Sequence, residues 1–362
     1  MEVRRLGIIG TGLIGASVGL AAKRAGVEVV EGYDFSQTVR EAALEHGAID
    51  RTLILADEVL DADLVVVAVP VIALRSVLQD ALDGADATVT DVGSTKSNLG
   101  EALSQANFVG GHPVTGSEAH GPEHATADLF DGATWFLTPT AQTDPERYRL
   151  VHSFVSALGA TPVAIDPDAH DRLVALTSHL PHALANLLVN QAGATRVEGH
   201  EPLAAAGGSL RDMTRVAGAN PRIWIDIFLE NTAALREALG EHRRRIEQLE
   251  AALEARDTGF IARWIGEAAD NRREMLASAF PDPGDLHQLR VHVPDRPGVL
   301  AGITQSLGAQ RINIEDFELH HVSPERGGTL TLLVTGKSEA ERAAALLESQ
   351  GYGVVVSPVL AP

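Results

Sequence analysis

The chain has 362 residues, a formal net charge of −20 and no cysteine. That length exceeds one ordinary core and predicts two or three domains, while the missing cysteines exclude disulfides, thiolate catalysis and cysteine-ligated metals. The acidic balance argues against a nucleic-acid partner, and no run of about twenty uncharged apolar residues offers a membrane span.

The first residues, MEVRRLGIIG, run straight into a strand without an apolar signal core, and the composition fits the cytoplasm. Lysine occurs only as Lys23, Lys96 and Lys337, which reads as a GC-rich genome before it reads as salt adaptation. A small anionic substrate must then be held by local positive groups against an unfavourable field.

In chain order, VRRLGII (3–9) is an apolar strand entering a glycine cluster, followed by the helical stretch ASVGLAAKRAG. VEVVEGYD, LVVVAVP and ATVTDVG are further strands, and the alternation continues through TWFLTP and ATPVAID to about residue 165. Strands alternating with helices predict a doubly wound parallel sheet over 1–165. From Pro167 the pattern turns helical, to about residue 280. One long helix is expected from near Pro221 to Arg256, with Leu235, Leu239, His242, Ile246, Leu249 and Leu253 spaced as a coiled-coil seam. At roughly 50 Å that helix reads as a homodimer core rather than an intrachain stripe. PDPGD (281–285) reads as a linker, and residues 287–362 follow the order βαββαβ of a ferredoxin-like module.

Gly10-Thr11-Gly12-Leu13-Ile14-Gly15 matches G-x-G-x-x-G in the context that gives the pattern meaning, after a strand and opening a helix. Gly10 permits the tight turn, Gly12 the approach of a pyrophosphate, and Gly15 close helix–strand packing. Asp34 ends the second strand, where a carboxylate accepts from ribose hydroxyls and repels a 2′-phosphate, favouring NAD over NADP. Arg40 lies too far along to reverse that preference.

Four segments carry unusual polar residues: 91–96, 111–118, 178–182 and 207–215. The first two follow strands at the carboxyl edge of the sheet, where ligands bind, and the last two are expected to face it. Oxidising a hydroxyl needs a base, and His112, on a loop after the strand 108–110, is the best placed of the histidines. His179 and His182 share a helix face at metal-pair spacing, but no third ligand accompanies them, so no metal is expected. Arg211 and Arg215 are i, i+4 on an expected helix, where guanidinium suits an anionic substrate.

Taken together, GxGLIGxS, TDVGSTK, FVGGHPVTGSExHG, SHLPHALA and GGSLRDMTRVAGANPxIW resemble the prephenate dehydrogenase family of tyrosine biosynthesis, across about residues 5–275. The resemblance implies a Rossmann domain, a helical dimerisation domain, and NAD-dependent oxidative decarboxylation of prephenate, or of arogenate as the alternative. It implies that His112 is the base at the ring hydroxyl, assisted by Ser94. Arg215 would engage a substrate carboxylate and His182 the side-chain end, donating to a keto group but repelling an ammonium when charged. His170 and Asp171 match a pair expected near the arginine, and His179, Glu118, Gly208 and Trp224 match pocket positions. The tail resembles an ACT domain through 293–300 and Asn313, with Asp295, Gly298 and Asn313 as effector residues and tyrosine as the expected effector. A β-hydroxyacid dehydrogenase would need a lysine in the helical domain, and none lies between Lys96 and Lys337. A non-catalytic nucleotide sensor would not need the His112 and Arg215 motifs.

Overall fold

The computed structural model describes residues 3–56, 58, 61–84, 86–115, 119–279, 283–323 and 327–359. The chain divides into two compact units, Met1–Arg244 and Arg245–Pro362, so the first two expected segments fall largely within one unit.

The first unit opens with β1 (Arg5–Ile9), α1 (Leu13–Arg24), β2 (Val29–Tyr33), α2 (Gln37–Glu45), β3 (Arg51–Thr52), β4 (Leu64–Val67), α3 (Val71–Gly84), β5 (Thr88–Asp91) and β6 (Phe108–Pro113). These are followed by β7 (Thr134–Thr138), α4 (Pro145–Ala157) and β8 (Thr161–Ala164). Residues of β4 and β5 are buried throughout, as central parallel strands covered on both faces require. The sheet order is β3-β2-β1-β4-β5-β6-β7-β8. All pairings are parallel except β6 with β7, which is antiparallel, so the expected all-parallel sheet needs correction at that edge. Alternating strands and helices indicate which segments are strands, whereas direction depends on where each connection crosses the sheet. His112 also differs from expectation: it lies within β6, opposite Phe136 of β7, rather than on a loop.

The helical part contains α5 (Pro167–Val174), a π-helical turn at Ala175–His179, α6 (Leu180–Ala194), α7 (Gly208–Met213), α8 (Pro221–Glu230) and α9 (Thr232–Glu254). Asp166 caps α5 by accepting from the N–H groups of Asp168 and Ala169, with Pro167 in the first turn. The single long helix expected from Pro221 is broken at Asn231 into α8 and α9. Its N-terminal leucines are not a free seam: Leu235 and Ala238 are buried against Leu180, flanked by Leu184, Phe228 and Leu239. Farther along α9, Ile246 and Leu253 are exposed.

The second unit contains α10 (Thr258–Ala279), then β9 (Leu286–Val293), α11 (Val299–Ala309), β10 (Asp316–Ser323), β11 (Gly327–Thr335), α12 (Lys337–Ser349) and β12 (Gly353–Pro358). The antiparallel order β10-β11-β9-β12 is that of a ferredoxin-like sheet. Its core joins Leu289, Val291, Leu330 and Leu332 to Ile303 and Leu307 of α11 and Ala340, Ala343 and Leu347 of α12. Among the described residues, no helix is long and apolar enough to cross a membrane.

Candidate active site

The carboxyl ends of β1, β4, β5 and β6 converge on a cleft of about 1380 Å³. Gly10, Gly12, Leu13, Ile14, Asp34, Ser94 and His112 line it on the sheet side, and Arg222 and Asp226 of α8 line the opposite wall. Gly10 turns the chain at φ +95°, and a side chain on Gly15 would strike the Gly10 carbonyl at 1.9 Å, so helix and strand pack only with glycine there. A Cβ on Gly12, by contrast, would meet nothing within 4 Å. It would project into the space a pyrophosphate needs, beside α1, whose first turn has no side-chain cap. Thr11 and Gly15 are buried behind this surface. Asp34 is fixed by two backbone donors, Thr11 N–H to Oδ2 and Ser36 N–H to Oδ1, each at 3.0 Å. The residues present therefore fit a dinucleotide.

Beneath the cleft lies a buried ion pair absent from the sequence reading. Lys96 Nζ donates to Asp91 Oδ2 at 2.6 Å and to the Gly93 carbonyl at 2.7 Å, both side chains being fully buried. The other oxygen of Asp91 accepts from Gly111 N–H at 3.0 Å. Gly111 must be glycine for this approach, since a Cβ would lie 2.5 Å from the Asp91 carbonyl. The pair thus locks the turn bearing Ser94 to the strand bearing His112. The sequence signal was available: Lys96 is one of three lysines, five residues after an aspartate ending a buried strand.

His112 is half-buried, with its ring at the cleft. Its Nδ1 lies 2.9 Å from His170 Nε2, and His170 Nδ1 lies 2.8 Å from Asp171 Oδ1. Asp171 also accepts from the N–H groups of Lys96 and Ser97 and from the Ser97 hydroxyl, at 2.9, 2.8 and 2.6 Å. Burial pushes its carboxyl up, but the bonds from His170, Ser97 and Lys96 outweigh burial and hold it below its usual range. A carboxylate can only accept, so His170 carries its proton on Nδ1 and accepts at Nε2. His112 must then donate from Nδ1, which leaves Nε2 as a lone pair without a partner among the described residues. Burial holds the His112 imidazolium well below its usual pKa of 6.5, reinforced by the Lys96 ammonium and by His170 and His179. The ring is a neutral base.

This arrangement corrects the expectation for His170 and Asp171. They are buried at 0% and 2% exposure and bonded behind His112, with no surface left for a substrate.

The π-helical turn widens the backbone at 175–179, a distortion that often marks functional sites. His179 at its end is buried, and both it and His182 meet the ring of Trp224. Asn231 Nδ2 lies 2.8 Å from the Asp171 carbonyl and 3.1 Å from His179 Nδ1. Burial lowers the His179 pKa to about 4. His182 stacks on Trp224 with ring centroids 3.5 Å apart, and Trp224 meets His179 edge-on at 6.2 Å. His182 Nδ1 donates to the Ser178 carbonyl at 3.0 Å, which leaves Nε2 as its other ring nitrogen for a ligand. Among the described residues no three His, Asp or Glu side chains gather as a metal site.

His179, His182 and Trp224 pack against one another but do not line the cleft. Glu118 lies outside the described residues. Gly208 opens α7 and is exposed; Arg215 is exposed beyond the end of that helix, in turns rather than on an extended helical face, and neither lines the cleft. Arg222 is the one arginine or lysine among the described residues that do.

The effector residues are likewise separated in the tail. A small cavity of about 60 Å³ is lined by Asp295, Arg296 and Leu319 among others, but not by Gly298 or Asn313. Gly298 caps α11 at φ +87°. Asn313 precedes β10 instead of opening a strand, and its amide donates to Glu315 at 3.0 Å.

Comparison with known proteins gives this geometry a lineage. The family model "Prephenate dehydrogenase, nucleotide-binding domain" matches residues 18–164, and "Prephenate dehydrogenase, dimerization domain" matches 166–267. A prephenate dehydrogenase of Bacillus subtilis is 31% identical over 356 residues, 95% of each chain. The chain belongs to the prephenate dehydrogenase family. An ACT domain model matches residues 287–351. The crystal structure of an A. aeolicus prephenate dehydrogenase, in complex with hydroxyphenyl propionate and NAD+, is 29% identical with a TM-score of 0.71, covering 76% of this chain and 99% of its own. A Synechocystis arogenate dehydrogenase is 28% identical with a TM-score of 0.69, covering 75% of this chain and 99% of its own. The nucleotide-binding match begins at residue 18, so the Gly10–Gly15 turn rests on its own geometry.

Proposed function

We propose that the chain oxidises prephenate with NAD, removing hydride and the hydroxyl proton from ring C4 and releasing CO2 to leave 4-hydroxyphenylpyruvate. The observation that carries this reading is the line Asp171–His170–His112, ending at the cleft that Gly12, Asp34 and Ser94 also line. Bound NAD supplies the hydride acceptor. The Gly12 opening and the first N–H groups of α1 would hold its pyrophosphate, and Asp34 its adenosine ribose.

His112 Nε2 takes the hydroxyl proton as the carbonyl develops, helped by a hydrogen bond from Ser94. The charge that arrives on the imidazole is stabilised by Asp171 through His170. The same nitrogen is placed to return the proton to the ring oxygen as the carboxylate leaves as CO2 and the ring becomes aromatic. Arg215 is assigned to a substrate carboxylate by resemblance, and within one chain Arg222 is the alternative holder. His182 and Trp224 form a stacked platform for the side-chain end, with His179 behind it.

We assign the chain as a homodimer, since Leu187, Val197, Leu203, Met213, Ile225 and Leu229 are exposed large apolar side chains of the helical segment. Tyrosine is the proposed effector of the tail, near Asp295. One observation favours arogenate as a second reading: with Nδ1 bonded to the Ser178 carbonyl, Nε2 of an uncharged His182 would accept from an ammonium rather than donate to a keto oxygen.

The deciding experiment follows NADH formation with prephenate and with arogenate, each with and without tyrosine. A higher kcat/KM with prephenate, lowered by tyrosine in the full chain but not in one ending near Pro283, is expected. A higher kcat/KM with arogenate would favour the second reading, and no NADH with either substrate would end the proposal.

A further inference from the structure

The connection between β6 and β7 meets the start of α8 through one asparagine. Asn220 caps α8, its Oδ1 accepting from Arg222 N–H at 3.0 Å, and this bond identifies Nδ2 as the other end of the amide. Nδ2 lies 3.2 Å from Nε2 of His120, 100 residues away in sequence. An amide nitrogen only donates, so His120 accepts at Nε2 and carries its ring proton on Nδ1. His120 and Arg222 both line the cleft. Among the described residues, neither the Arg222 guanidinium nor His120 Nδ1 has a partner. Asp226, one turn along α8, also lines the cleft and does not pair with Arg222.

Resting on the reading of the cleft as the prephenate site, we infer that Arg222 and His120, joined through Asn220, form a carboxylate subsite for the substrate. His120 is then a substrate-binding residue and Asn220 a positioning residue. A guanidinium fork and an imidazole N–H anchored on the same asparagine serve both oxygens of a carboxylate. The carboxylates of Asp80 and Asp226 repel an anion from the rest of this wall, which leaves the corner at Arg222 as its place of binding. The pyrophosphate of NAD is served on the sheet side by the glycine turn and the first N–H groups of α1, so the opposite wall is left to the substrate. Prephenate carries two carboxylates, one on the ring and one on the side chain, and the subsite takes one of them.

The test uses the full chain saturated with NADH, which prevents turnover, and measures binding of prephenate and of 4-hydroxyphenylpyruvate by calorimetry. Arg222→Gln should weaken prephenate binding by at least about tenfold and His120→Phe by about threefold, the losses of a charged and a neutral donor. Asn220→Ser, which keeps an acceptor for the helix cap but loses the amide donor to His120, should fall between wild type and His120→Phe. The product keeps only the side-chain carboxylate. An equal loss with 4-hydroxyphenylpyruvate in Arg222→Gln assigns that group to the subsite, and a loss confined to prephenate assigns the ring carboxylate. Prephenate affinity within about 1.5-fold of wild type in either Arg222→Gln or His120→Phe would overturn the inference, as would a wild type that binds no prephenate. A loss of NADH affinity in place of prephenate affinity would overturn it too, by giving Arg222 to the cofactor. A wild type that binds prephenate through Arg222 without turning it over would refute the proposed reaction and leave the subsite standing.

Discussion

The chemistry of His112 is decided by its two nitrogens. Nδ1 is committed to His170, whose own proton is committed to Asp171, and this leaves Nε2 to receive a proton. Burial and the neighbouring Lys96 ammonium keep the ring neutral, so the active form persists below the range of an ordinary histidine. A base is lost when it is protonated, and activity should therefore fall as pH drops through the lowered His112 pKa. The acid limb of kcat/KM for prephenate is expected below pH 6.5, and a limb at or above that value would contradict the assigned environment. His112 itself could be chosen from sequence, from its place between glycines and a proline at the end of a strand. The relay behind it could not, because His170 is 58 residues away and no local pattern records that contact. A pair of adjacent polar residues reads equally well as substrate-facing or core-facing until burial is known.

Elements were legible where a local signal fixed them and misread where direction or continuity depended on contacts between segments. The glycine turn before α1 is dictated by sterics within a few residues, and it reads the same in sequence and structure. The direction of β7 is not encoded by its own alternation, and the π-helical turn has no periodic signature. The leucine spacing begins only at Leu235, so nothing in it marks the break at Asn231, whose function is tertiary. Its buried side-chain nitrogen serves the Asp171 carbonyl and His179 together, so the chain breaks where that bridge is needed. Asn231→Leu would leave both partners without their bond in a buried place, costing about 1–3 kcal/mol. Urea unfolding should report a loss in that range for the first unit, and a change under about 0.5 kcal/mol would show the bridge to be dispensable.

At the scale of the molecule, one unit presents a sheet edge and a helical wall around a nucleotide-sized cleft, and the other carries an ACT domain. Composition and motif order were enough for this plan, since each module has its own strand–helix rhythm. The anion-binding side was less legible: the arginine singled out by motif is exposed outside the cleft, and Arg222, at the one unspecified position of the same motif, lines it. With a net charge of −20 working against anionic ligands, turnover depends on such local groups and on a base that needs no charge of its own. The most direct measurement compares steady-state NADH formation from prephenate by the full-length wild type and His112→Asn. The account predicts about a 10²–10⁴-fold lower kcat with KM for prephenate little changed, the range for losing general-base help. A kcat within tenfold of wild type would contradict it.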